Sequence, residues 1–228
     1  FFIGRELKAP ADRPPSRMVD DIRAGFLYVA RHSVLRSVIL LFATTNAVLA
    51  PVGAAMTFRV VRDLGESPAA FGLTLTGLGV GTLVGSVFAT RLGHATNVAR
   101  ILVVSVLVMG SALIAAAMIP SLPAVIALTA ISGAGEAALV VVYISVRAAN
   151  SPDALLGRIA STARVIALAF MPIGMLIGGV LIDNIGGSGT LVVMGAGMCL
   201  LALAFTQVRG LRNASLAPSS GHRVIISA

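Results

Sequence analysis

Residues 124–150, AVIALTAISGAGEAALVVVYISVRAAN, decide how this chain is read. The stretch exceeds the ~20 residues with which a helix crosses a hydrocarbon core, yet one acid, Glu136, sits at its middle. An ionisable group at mid-bilayer costs roughly 2.5–3.5 kcal/mol on insertion scales. Strongly apolar residues such as Val125, Ile126, Leu128, Leu139 and Val142 return about 0.3–0.6 kcal/mol each. The sum is near balance or favourable, so the segment inserts. The acid remains a local cost that asks for a reason.

On a helix, Thr129, Ser132, Glu136, Tyr143 and Arg147 point within about 40° of one direction. Such a stripe belongs against the bundle interior or a water-filled cavity. Arg147 lies roughly 16 Å along the axis from Glu136, too far to pair with it, and snorkels to the interface. Two readings of Glu136 stand side by side. It contacts a substrate cation or carries a proton, as intramembrane acids commonly do, or it is a neutral acid hydrogen-bonded to a neighbouring helix.

The rest of the chain repeats the membrane pattern. Of 228 residues, 57% are hydrophobic and 11% charged, and mean hydropathy is +0.97, far from a soluble composition. Apolar runs much longer than a membrane strand exclude a barrel. Six spans of suitable length fall at about 37–58, 69–90, 101–119, 124–146, 165–183 and 190–206. Their short connections make neighbours antiparallel.

All seventeen Lys and Arg except Arg59 and Arg62 fall on one side of this arrangement. The positive-inside rule therefore puts both ends in the cytoplasm. A nucleic-acid role is not expected, since no continuous basic face lies beside aromatics. The only cysteine, Cys199, excludes an internal disulfide and a thiolate cluster. Residues 1–36 form a basic linker. Pro10, Pro14 and Pro15 oppose regular structure at its start, and Val19, Ile22, Phe26 and Val29 recur at helical spacing after it. That spacing makes an amphipathic helix, either interfacial or packed on the ends of the bundle. Residues 207–228 read as a cytoplasmic tail. Without an initiating Met, the chain reads as a piece of something longer, with Phe1–Ile3 as the tail of a preceding helix.

Other polar and small residues are candidates for function or packing. Thr45 and Asn46 lie mid-span ahead of Pro51 and either hydrogen-bond a substrate or join helices. Gly77, Gly81 and Gly85 recur at four-residue intervals and form a groove for close helix contact. Pro172, Gly174 and Gly178 make a kinked, closely packed helix suited to packing or gating. No HExxH, GxSxG, CxxC or P-loop pattern occurs, so neither an enzyme nor a metal or cofactor site is expected.

Three segments resemble the major facilitator superfamily, and bacterial exporters of the enterobactin-exporter and macrolide-efflux type in particular. Asp21-Ile22-Arg23-Ala24-Gly25-Phe26-Leu27-Tyr28-Val29-Ala30-Arg31-His32, followed by Val34-Leu35-Arg36, is similar to their central loop. Pro152-Asp153-Ala154-Leu155-Leu156-Gly157-Arg158-Ile159-Ala160-Ser161 is similar to their P-x-x-L-x-G-R-[VI]-x-S loop. Pro172-Ile173-Gly174, with Gly178 and Gly179, matches P-[LI]-G-x-x-x-G.

The resemblance implies an all-α membrane protein whose six spans are helices seven to twelve of a twelve-helix carrier. That carrier works by alternating access about a midplane site, in a plasma membrane of the bacterial inner-membrane type. Its partners are the lipid bilayer, an N-terminal six-helix half outside this chain and a small-molecule substrate. Glu136, Asn46, Thr45 and Tyr143 become the candidate substrate or proton contacts, and Gly157 and Arg158 shape a gating loop. Gly85, Arg91 and Gly93 fit the motif after the second span, but Thr90 stands where its acid is usual, which departs from the pattern of a charge latch. Efflux of a small amphiphilic molecule is the expected activity. The alternatives are a six-span scaffold or partner subunit, and a fragment that does not transport.

Overall fold

The computed structural model describes the backbone of residues 18–92, 97–152 and 155–208, and the side chains of those from residue 25 onward except 91 and 92. Among the described residues every regular element is helical. α1 covers Met18–Arg31, α2 Ser33–Leu49, α3 Val52–Phe58, α4 Pro68–Leu92, α5 Val98–Met118, α6 Leu122–Ala149, α7 Leu156–Ala169 and α8 Met171–Thr206. They make five continuous apolar stretches long enough to cross a membrane: Ser33–Asp63, Pro68–Thr90, Val98–Met118, Leu122–Ala149 and Leu156–Thr206.

The first stretch begins earlier and ends later than its apolar core predicts. His32 starts α2, its Nδ1 accepting from the Leu35 amide at 3.3 Å. Pro51 divides α2 from α3 because it has no N–H for the Ala47 carbonyl. Beyond Phe58 the chain widens into a π-helical turn, Arg59–Asp63, with Leu64 N–H donating to the Arg59 carbonyl at 3.0 Å. The helical path thus continues five residues past the expected end at 58.

The last stretch is 51 residues long, far more than one crossing needs, and it is interrupted twice. The ring of Pro172 cannot follow a regular turn, and α7 ends at Ala169 just before it. Gly186 then has φ 70° and ψ −176°, a conformation open essentially to glycine alone.

Close helix contacts give the directions. A Cβ on Gly77, Gly81 or Gly85 of α4 would run into the backbone of Ile126, Ala130 or Ala134 of α6. The two helices are therefore parallel, in a constant register. Gly174 and Gly178 meet Ala47 and Pro51, so the start of α8 runs parallel to α2. After Gly186 the sense changes: Gly195 meets Ile114, and Gly110 meets Met198 and Cys199, so this part of α8 is antiparallel to α5. The carbonyl that Pro51 leaves free, that of Ala47, faces the Gly174 backbone, where no side chain could fit.

α5 is the most enclosed of the five stretches, with Leu102, Val106 and Met109 fully buried. α4 and the first part of α8 expose much of their apolar surface, including Leu83, Phe88, Leu176 and Val180. α1 lies against α7, where a Cβ on Gly25 would come within 2.6 Å of Thr162 Oγ1.

Candidate functional site

The centre of α6 carries the site. Glu136 lies halfway along its 28 residues, about 20 Å from either end. It borders a cavity of about 180 Å³ together with Thr129 and Ser132 of α6, Thr74 and Leu78 of α4, Leu49 of α2, Met56 of α3 and Leu113 of α5. Three members of the polar stripe therefore meet in one space. Thr129 and Thr74 donate their hydroxyls to carbonyls of their own helices, Val125 and Phe71, at 2.7 Å each. Those bonds use the only protons these hydroxyls have, which leaves both oxygens available only as acceptors.

Glu136 is half-buried and, among the described residues, has no hydrogen-bond or ion-pair partner. An unpartnered carboxyl in a largely apolar, helix-lined space is the kind of group that a cationic ligand or a proton stabilises. The lining runs from Glu136 toward the starts of α4 and α6, where Phe71 lies.

The other two members of the stripe form a separate cluster. The Tyr143 ring is buried and stacks on Phe42 of α2, with centroids 4.0 Å apart and planes 6° from parallel. The Arg147 guanidinium lies 5.2 Å from the Tyr143 centroid, and its Nη1 donates to the Tyr143 hydroxyl at 3.4 Å. Arg147 thus has a partner on its own helix, and Tyr143 faces Phe42 rather than the Glu136 cavity. Thr45 and Asn46 lie at the levels of α2 between Phe42 and Leu49, hence between the two clusters. The Asn46 amide donates to the Phe42 carbonyl at 2.7 Å. Thr45 is fully buried, and among the described residues its hydroxyl has no partner. Neither lines the cavity with Glu136.

Gly157 and Arg158 belong to the first turn of α7 rather than to a connecting loop. A Cβ on Gly157 would meet open space, while the Arg158 carbonyl is one of the atoms against which Gly25 packs. Gly93 and the Arg91 side chain lie outside the described residues, as does most of the basic tail. No group of three metal-ligating side chains occurs among the described residues.

One cluster has no counterpart in the sequence reading. Arg59 is buried, and its Nε and Nη2 donate to the carbonyls of Ala116 and Ile119 at 3.3 and 3.0 Å. It thereby caps the C-terminus of α5. One turn on, a carboxylate oxygen of Asp63 accepts from both the amide (3.0 Å) and the hydroxyl of Ser188, just past the break at Gly186. The only hint in the sequence is a cation placed directly after an apolar run.

Comparison with known proteins agrees with this architecture. Residues 35–225 match the family model described as Major Facilitator Superfamily. The chain is 26% identical over 211 residues to proteins named multidrug efflux pump Tap from Mycobacterium tuberculosis and Mycobacterium bovis, covering 90% of this chain and 49% of theirs. It is 25% identical over 193 residues to the Tap protein of Mycolicibacterium fortuitum, covering 85% and 47%. The chain spans about half the length of these relatives. No solved structure matches it.

Proposed function

Since the chain belongs to the Major Facilitator Superfamily, whose members are membrane transporters and not enzymes, we propose that it forms the C-terminal half of an efflux carrier for small amphiphilic molecules. It crosses the membrane six times, with both ends in the cytoplasm. The break at Gly186 and the change of helix direction across it support counting Leu156–Thr206 as two crossings. The strong bias of Arg and Lys to one side supports the orientation. Names of the Tap relatives support efflux as the direction.

The observation that carries the reading is Glu136, unpartnered at mid-helix beside a cavity shared by α2, α3, α4, α5 and α6. A neutral amphiphile would be held by the apolar lining, and a cationic group or a proton by the carboxyl. The cavity is small for a drug-sized ligand, consistent with its being one wall of a larger site that a six-helix N-terminal half completes. Rocking of the two halves would expose that site alternately to either side. Thr45, Asn46 and Tyr143 lie outside this cavity and would meet a substrate only in the larger site formed by both halves.

The test is export of a cationic amphiphilic dye from cells carrying this chain joined to an N-terminal half, or this chain alone. Export by the joined form only is the expected result. Export by neither would favour a non-transporting subunit, and export by the chain alone would favour a dimer of halves.

A further inference from the structure

A second recess is larger than the cavity beside Glu136. A groove of about 550 Å³ runs between α1, α2 and α7, at the opposite end of α2 from the Arg59 cluster. Phe26 of α1, Ile39 and Leu40 of α2, and Val165 and Phe170 of α7 and the turn after it line the groove. From Ser161 to Phe170 its lining extends roughly 13 Å along α7. Its polar residues are Ser161, Thr162 and Arg36. Ser161 is satisfied by the Arg158 carbonyl at 2.9 Å, and Thr162 is buried beside Gly25. Arg36 is the exposed charge. One of its N–H groups reaches the Ala30 carbonyl at 3.3 Å, and among the described residues it has no carboxylate partner.

From this groove we infer a binding site for one anionic phospholipid, its acyl chain in the groove and its phosphate on Arg36. The charge pattern selects this occupant. By sequence the groove's side carries fifteen Lys and Arg against five Asp and Glu, and the Arg59 side two against three, with Arg31, Arg36 and Arg164 exposed at the groove's end. A slot for an apolar chain under the Arg36 guanidinium, on a side rich in cations, matches an anionic amphiphile whose charge sits at the membrane surface. α1 presents exposed Phe26 and Leu27 next to Arg31, as a helix in the headgroup layer does. The inference rests on membrane residence alone and stands or falls independently of transport.

The chain has no Trp, so one introduced Trp is a clean reporter. The Phe170→Trp variant, at the deep end of the groove, is reconstituted in phosphatidylcholine vesicles containing brominated phosphatidylglycerol or, separately, the same share of brominated phosphatidylcholine. Bromine quenches indole fluorescence on contact. About fivefold tighter quenching by the anionic lipid is expected, the effect of one cation at a membrane surface. Adding Arg36→Gln should remove the preference and adding Arg36→Lys should keep it. A Leu200→Trp variant, exposed elsewhere, should show none. Equal quenching by both lipids in the Phe170→Trp variant, or a preference that survives Arg36→Gln, would overturn the inference. So would protection from both lipids, the result expected if a helix or a second copy covers the groove.

Discussion

Replacing Arg59 by Met isolates what a buried cation does for this bundle. Met fills most of the volume and removes the desolvation cost of the charge, so the loss is confined to the two carbonyls that Arg59 caps. The bond to Ile119 is only partly buried, and water can replace it. The bond to Ala116 is buried, and an unsatisfied carbonyl there costs about 1–3 kcal/mol. The lost charge at the negative end of α5 adds about 0.3–1 kcal/mol. Arg59→Met should therefore cost about 2 kcal/mol, concentrated at the end of α5, which is about a 30-fold rise in local opening. Hydrogen exchange with mass spectrometry of the detergent-solubilised chain reads this out. Amides near Ile119 should exchange faster by that factor, while those at the centre of α6 stay protected. An increase below twofold at Ile119 would refute the capping account, and an equal increase along the whole bundle would make Arg59 a general packing residue instead.

Other substitutions probe the helix contacts. Gly81→Leu forces a side chain into the Ala130 backbone and should lower stability by about 1–3 kcal/mol. Gly79→Leu, two residues away and facing open space, should change the melting temperature little in the same thermal scan. Gly186→Val places a branched residue at φ 70° and should cost about 1–3 kcal/mol, seen as a lower melting temperature. Asp63→Ala removes the acceptor at the helix start after Gly186 and should cost about 1 kcal/mol, with faster exchange of the Ser188 amide as the readout.

Much of the architecture is local enough to be legible in sequence. Segment length and apolarity mark the membrane helices because a bilayer imposes a fixed thickness. The i, i+4 glycines of α4 meet α6 because small residues admit a backbone wherever they align. The polar stripe of α6 was half legible: periodicity shows that Glu136 and Tyr143 share a direction, but not that Phe42 covers one and a cavity borders the other. The bond from Arg59 to Ala116 joins residues far apart in the chain, and nothing local separates a capping arginine from a loop cation. The π-helical turn extends the first stretch because tertiary contacts at Arg59 and Asp63 hold it, beyond the reach of hydropathy. Gly157 and Arg158 read as loop residues from their neighbours, yet α7 begins one residue before them.

The central claim is that the Glu136 carboxyl handles the transported charge. The direct measurement is dye export at several external pH values by the joined, two-half carrier and its Glu136→Gln variant, at matched levels in the membrane. Gln keeps the size and removes the charge. The expected result is normal membrane insertion with export abolished, or with its pH dependence lost. Export by Glu136→Gln at the parent rate, with an unchanged pH profile, would contradict the claim and leave Glu136 a structural residue of the bundle.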